Sequence, residues 1–175
     1  KMPHKTMIEL RRHSMRNIPG SHLNKAGVSL ARKIGNSMGK FTLVLTSTLP
    51  RAYETAIAMG YAVDEQLEAF ADMGSALEWS PEGGIGEIVR AVRQRPAAAE
   101  YVQQQGEILQ TILQALPNNG AALIVSHGGI VEAHAIALAP DADHASWGKT
   151  FSYCEGVRLW FEDGQWVRAE VLRQP

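Results

Sequence analysis

Ile8-Glu9-Leu10-Arg11-Arg12-His13-Ser14 decides how the rest of the chain is read. It starts as a strand from Met7 to Leu10, interrupted only by Glu9, and runs straight into guanidiniums and an imidazole. A histidine at such a tip is held by backbone on both sides, and its arginine neighbour is a planar, permanently charged clamp for oxyanions. The same pair also fits a buried histidine beside a solvated arginine. Its meaning therefore depends on how the other strands end.

Beyond the tip, a loop closes on the Pro19-Gly20 turn signal. Asn24 is placed to cap a helix, with Leu23 and Val28 bracketing its first turn as an apolar staple. Gly27, Leu30, Ala31 and Ile34 share one face of that helix, Lys25, Arg32 and Lys33 point away, and Gly35-Asn36 stops it. Phe41-Thr42-Leu43-Val44-Leu45 is a second strand, apolar enough for burial on both faces. A hydroxyl-rich turn and Pro50 then open a helix, which puts Arg51 in its first turn.

Residues 61–89 are less regular, with seven acids, no Lys or Arg, and breaks at Gly74, Pro81, Gly83, Gly84 and Gly86. This stretch reads either as a solvated excursion between layers or as a small lid that also supplies a carboxylate. Trp79 is a candidate to line a substrate mouth there. Pro96 opens a long helix to about Leu116, and Ala121-Ala122-Leu123-Ile124-Val125 forms a third buried strand running into Ser126-His127-Gly128-Gly129. A helix over residues 130–138 follows. The tail alternates from Tyr153 to Phe161, with Cys154 in the strand pattern, and returns through an Asp163-Gly164 hairpin.

With 175 residues, 45% apolar and 20% charged, the chain reads as a single domain over 1–175, with a short lid-like insertion at about 61–96. A net charge of −1 gives no footprint for nucleic acid or for an anionic membrane. Cys154 is the sole cysteine, which excludes an internal disulfide and suits a small buried thiol. No signal peptide or membrane span is evident, so the expected location is cytoplasmic.

Strand-then-helix units with nearly continuous apolar strands imply a mainly parallel sheet covered on both faces, with ligands beyond the carboxyl ends of the strands. Three such ends carry Arg12-His13, Arg51 and His127. Two guanidiniums suit a phosphate dianion, and phosphoryl transfer is mostly positioning and electrostatics. In this reading His13 attacks phosphorus and His127 donates to the phosphoryl oxygens. Gly128 lets backbone approach the anion, and Arg16 is either a third positive charge at the rim or simply solvated.

Arg12-His13-Ser14, Leu23-Asn24-Lys25-Ala26-Gly27, Ser47-Thr48-Leu49-Pro50-Arg51-Ala52-Tyr53-Glu54-Thr55-Ala56 and Val125-Ser126-His127-Gly128-Gly129, in that order, resemble the histidine phosphatase (phosphoglycerate mutase-like) superfamily over nearly the whole chain. The resemblance implies a three-layer α/β/α sandwich around a mostly parallel sheet with an antiparallel edge strand. It implies a phosphohistidine on His13, a pocket built from Arg12, Arg51 and His127, and neither metal nor other cofactor. Two departures stand out. Ser14 replaces the usual glycine, and its hydroxyl is a candidate phosphate contact. The Leu67-Glu68-Ala69-Phe70-Ala71-Asp72-Met73-Gly74 stretch does not match the register of the usual acid, leaving Asp72 and Glu68 as candidate proton donors, Asp72 first.

The implied activity is a metal-independent phosphatase acting on a small phosphomonoester or a protein phosphohistidine, as a monomer or homodimer. The alternatives are mutase-type phosphoryl transfer, or a non-catalytic phosphate-binding member of the fold. His127, Glu132 and His134 raise a further possibility, a metal site, although their spacing is not the His-Glu-x-x-His pattern. His4, His22 and His144 read as surface histidines.

Overall fold

The computed structural model describes residues 1–78 and 81–175, so Trp79 lies outside the described residues. Strand β1 (Lys5–Arg12) carries the opening stretch, followed by α1 (Lys25–Gly35), β2 (Leu43–Ser47) and α2 (Pro50–Ala58). A short strand β3 (Glu65–Leu67) leads to α3 (Gly84–Gln94), α4 (Pro96–Ala115), β4 (Gly120–Ser126) and α5 (Ile130–Leu138). The hairpin of β5 (Gly156–Glu162) and β6 (Gln165–Leu172) completes the set.

All six strands form one sheet in the order β3-β2-β4-β1-β5-β6. β3, β2, β4 and β1 are parallel neighbours, β5 runs antiparallel to β1, and β6 antiparallel to β5. The sheet is thus mostly parallel with an antiparallel edge, as expected, and that edge is formed by the tail hairpin. Ile8, Leu10, Leu45 and Ile124 pack on one face with Leu109 of α4 and Val131 of α5. On the other face Val44, Leu123 and Val125 meet Ala52 and Ala56 of α2, while Ala31 of α1 packs on Met59 and Cys154. Helices therefore cover both faces, which is why the central strands are apolar on both.

Glu9 is the exception within β1, fully buried yet charged. Arg11 Nε reaches its Oε2 at 2.8 Å and Arg158 Nη2 its Oε1 at 2.7 Å, so the buried carboxylate is satisfied from two strands. Asn24 caps α1 by accepting from the Gly27 N–H at 2.8 Å. Gly27 is required there, because a β carbon would sit 2.0 Å from the Met15 carbonyl oxygen. α1 is thereby pressed directly onto the loop that follows His13.

Three expectations need correction. Residues 61–89 contain β3 and most of α3 rather than only irregular pieces. Ile85 and Ile88 of α3 are buried, and Ile88 shares a cluster with Leu77, Ala98, Tyr101 and Val102. Helical spacing of Ile85, Ile88, Val89 and Val92 outweighs the glycines, and Gly84 adopts φ +70° where the chain turns into the helix. The tail strand begins at Gly156. Tyr153 and Cys154 form a turn before it, with Cys154 at φ +62° and the Glu155 carboxylate accepting from Ser152 N–H. His144 is buried, its Nε2 bound to the Ala139 carbonyl at 2.7 Å. Among the described residues no helix is long and apolar enough to cross a membrane.

Candidate active site

The C-terminal ends of β2, β4 and β1 lie side by side, because those strands are adjacent and parallel. Register places Arg12 opposite Ser126, and the His13 N–H donates to the Ser126 carbonyl at 2.9 Å. His13 is thus fixed one residue beyond the sheet, with the His127 ring centroid 5.2 Å from its own.

The His13 ring has a defined tautomer, assigned from its hydrogen bond. Nδ1 lies 2.7 Å from the Ser14 carbonyl oxygen, which can only accept, so Nδ1 carries the proton and Nε2 keeps its lone pair. Burial lowers the His13 pKa to about 3; the Ser14 bond opposes the shift, and His127, Arg12 and Arg51 reinforce it. The imidazole is therefore neutral at physiological pH.

His127 is set by Ser47. The Ser47 Oγ accepts from the Leu49 N–H at 3.2 Å and lies 2.7 Å from His127 Nε2. In the assigned tautomer, the hydroxyl donates to Nε2 and the proton sits on Nδ1, a buried atom with no partner among the described residues. Burial, followed by Arg51, Arg12 and Arg16, lowers the His127 pKa to about 4. The ring is neutral at physiological pH, and in this tautomer Nδ1 is its free donor.

Arg12 donates through Nη1 to the Phe151 carbonyl at 3.0 Å and lies over the Tyr153 ring, 4.8 Å from its centroid. Gly128 makes room for it, since a β carbon there would be 3.3 Å from Arg12 Nε. Arg51 sits in the first turn of α2 with Nη1 3.2 Å from Ser21 Oγ, and burial, Arg16 and Arg12 all lower its pKa. The Nε atoms of Arg12 and Arg51 are buried without partners among the described residues. Arg16 is near enough to be felt by both Arg51 and His127, and its Nη1 donates to the Gly20 carbonyl at 2.7 Å. The Arg12 and Arg51 charges lower the pKa of both His13 and His127. Such a site takes an anion.

Arg12, His13, Arg51 and His127 are therefore brought together, with Gly128 against Arg12 and Arg16 at the rim. Ser14 differs from expectation: its hydroxyl donates to the Gly27 carbonyl at 2.7 Å, and it is fully buried. It anchors the tip to α1 and leaves no hydroxyl for phosphate. Asp72 is exposed, and its Oδ1 accepts from Gly74 N–H in its own turn. Its charge is felt by Tyr101 rather than by either site histidine, and Glu68 is exposed as well. Neither carboxylate is tied to the cluster. His134 binds Gln105 Oε1 and packs edge-on to Phe70, and among the described residues no group of three or more His, Cys, Asp or Glu is arranged to hold a metal.

Several positioning residues escaped sequence reasoning. Thr55 accepts from the Ser14 N–H at 2.8 Å, pinning the tip to α2. Ser47 orients His127, and Tyr153 carries Arg12. Only Glu132 had a readable signal, an acid three residues past Gly129 in the first turn of a helix, where it accepts from Gly129 N–H.

The six-stranded sheet and its flanking helices have the phosphoglycerate mutase-like fold. A crystal structure of phosphoglycerate mutase from Bacillus anthracis matches at a TM-score of 0.70 and 17% identity, covering 97% of this chain and 93% of that one. A phosphoserine phosphatase from Entamoeba histolytica, in complex with 3-phosphoglyceric acid, matches at 0.69 and 17%, covering 97% and 98%. The protein histidine phosphatase SixA, complexed with tungstate, matches at 0.64 and 14%, covering 95% and 96%. No protein-family model matches the chain, and no curated protein sequence is significantly similar to it.

Proposed function

We propose that this protein is a phosphatase that hydrolyses a phosphomonoester, or a phosphohistidine on a protein, through a covalent phosphohistidine on His13. The observation that carries this reading is the His13 ring itself: Nδ1 is committed to the Ser14 carbonyl, so an unprotonated Nε2 faces the charges of Arg12 and Arg51, whose buried Nε atoms have no hydrogen-bond partner among the described residues.

In the proposed reaction Nε2 attacks phosphorus in line with the leaving oxygen. Arg12, Arg51 and His127 Nδ1–H hold the equatorial oxygens as their charge spreads. The P–O bond to the leaving group breaks, the leaving oxygen takes up a proton, and the N–P bond is then cleaved by water to release inorganic phosphate. Fold similarity to a phosphoserine phosphatase and to a protein histidine phosphatase supports this reading. Asp72 is not given the role of acid, because its carboxylate is engaged in its own turn.

Turnover of p-nitrophenyl phosphate and of an alkyl phosphate tests both points. His13→Ala is expected to lower phosphate release by roughly a thousandfold or more. Asp72→Asn is expected to change the two substrates equally. A selective loss on the alkyl phosphate, whose leaving oxygen most needs a proton, would restore Asp72 as the acid.

A further inference from the structure

Glu132 lies fully buried in the first turn of α5, and the proposed chemistry does not use it. Its oxygens face two separate segments: Oε1 accepts from Gly129 N–H at 2.8 Å, and Oε2 from Phe151 N–H at 2.8 Å. Two N–H donors on two oxygens suit a carboxylate, whereas an amide would turn its own NH2 toward one of them. Burial raises the Glu132 pKa, while those N–H groups and the Arg12 charge lower it.

The segment that Glu132 fastens holds Arg12 in three ways. The Phe151 carbonyl accepts from Arg12 Nη1 at 3.0 Å, and the Tyr153 ring lies 4.8 Å from the guanidinium carbon. The Arg12 backbone is gripped as well, its N–H donating to the Glu155 carbonyl at 2.9 Å and its carbonyl accepting from Cys154 N–H at 3.0 Å. One buried carboxylate thus ties the turn after His127 to the loop that orients Arg12.

We propose that Glu132 is a positioning residue of the phosphate pocket, setting the Arg12 guanidinium through the loop from Phe151 to Tyr153 without touching substrate. This rests on the reading of Arg12 as a phosphate clamp. A helix cap alone would need only Gly129; the bond to Phe151 is what links Glu132 to the pocket.

The test is calorimetric binding of inorganic phosphate to the wild type, Glu132→Gln, Arg12→Ala and the double variant, each checked by thermal melting. Glu132→Gln is expected to fold and to weaken phosphate binding roughly tenfold. In the Arg12→Ala background the same change is expected to have an effect of less than about twofold, because the group it acts through is gone. Unchanged phosphate affinity in a folded Glu132→Gln overturns the inference, and so does an equal loss with and without Arg12. Should Glu132→Gln not fold, Tyr153→Leu decides. It removes the ring under Arg12, leaves the buried carboxylate in place, and is expected to weaken phosphate binding about threefold; unchanged affinity there overturns the inference. A wild type that binds no phosphate overturns the reading of the site, and with it this role for Glu132.

Discussion

A single carbonyl oxygen, that of Ser14, settles the state of the His13 ring, and its side chain settles where that residue sits. Because the Ser14 hydroxyl is spent on the Gly27 carbonyl, Ser14→Ala removes the side-chain bond that ties the tip to α1. The expected result is a loss of about 1 to 2 kcal/mol in denaturant unfolding, with phosphate affinity held within about twofold of wild type. Arg12, His13, Arg51 and His127 could be picked out from sequence because each follows an apolar strand. Ser47, Thr55 and Tyr153 could not. Their roles are contacts between segments far apart in the chain, such as Ser47 with His127 and Thr55 with Ser14, and no local pattern encodes such contacts.

Among the elements, β1, α1, β2, β4 and α5 follow directly from periodicity and capping, since each carries a long apolar pattern and a local stop. β3 and α3 were hidden for different reasons. β3 is a three-residue exposed edge pairing only with β2, too short to show an alternation. α3 is amphipathic, but glycines fall at its start, where its register is set by Gly84 and an N–H from Ile85 to the Gly148 carbonyl. The charge inside β1 has its own consequence. Removing it with Glu9→Gln leaves Arg11 and Arg158 without their shared buried partner, and the expected loss in unfolding free energy is about 3 kcal/mol or more. Loss within about 0.5 kcal/mol would mean that the cluster contributes nothing net.

Across the whole molecule, four buried histidines, His13, His127, His134 and His144, share one electrostatic character, each lowered in pKa by burial. Burial lowers His13 to about 3, His127 to about 4 and His134 to about 3. The unfolded chain accepts protons on histidine at an ordinary pKa of about 6.5, whereas the folded protein resists them until the pH is far lower. Their contribution to stability is complete above pH 6.5 and is lost as the pH falls from there toward 3 to 4. Each adds a slope of up to about 1.4 kcal/mol per pH unit over that window. Melting temperature is accordingly expected to fall steadily from pH 7 to pH 4, and inorganic phosphate to offset part of the fall by binding the folded form. A flat melting profile over this range would contradict the burial of these rings. The layered sheet was legible at this scale from alternating strand and helix patterns. The tail hairpin was legible too, through Asp163-Gly164, whereas its pairing with β1 was not, because pairing partners are chosen across the whole fold.

The most informative measurement is a search for phosphate held covalently on the protein after rapid mixing with a small aryl phosphate and quenching in base. His13 acting through Nε2 predicts an acid-labile, base-stable adduct that accumulates in the wild type and is absent from His13→Ala. Phosphate release at the wild-type rate from His13→Ala, or an adduct that survives that substitution, would contradict a nucleophilic His13.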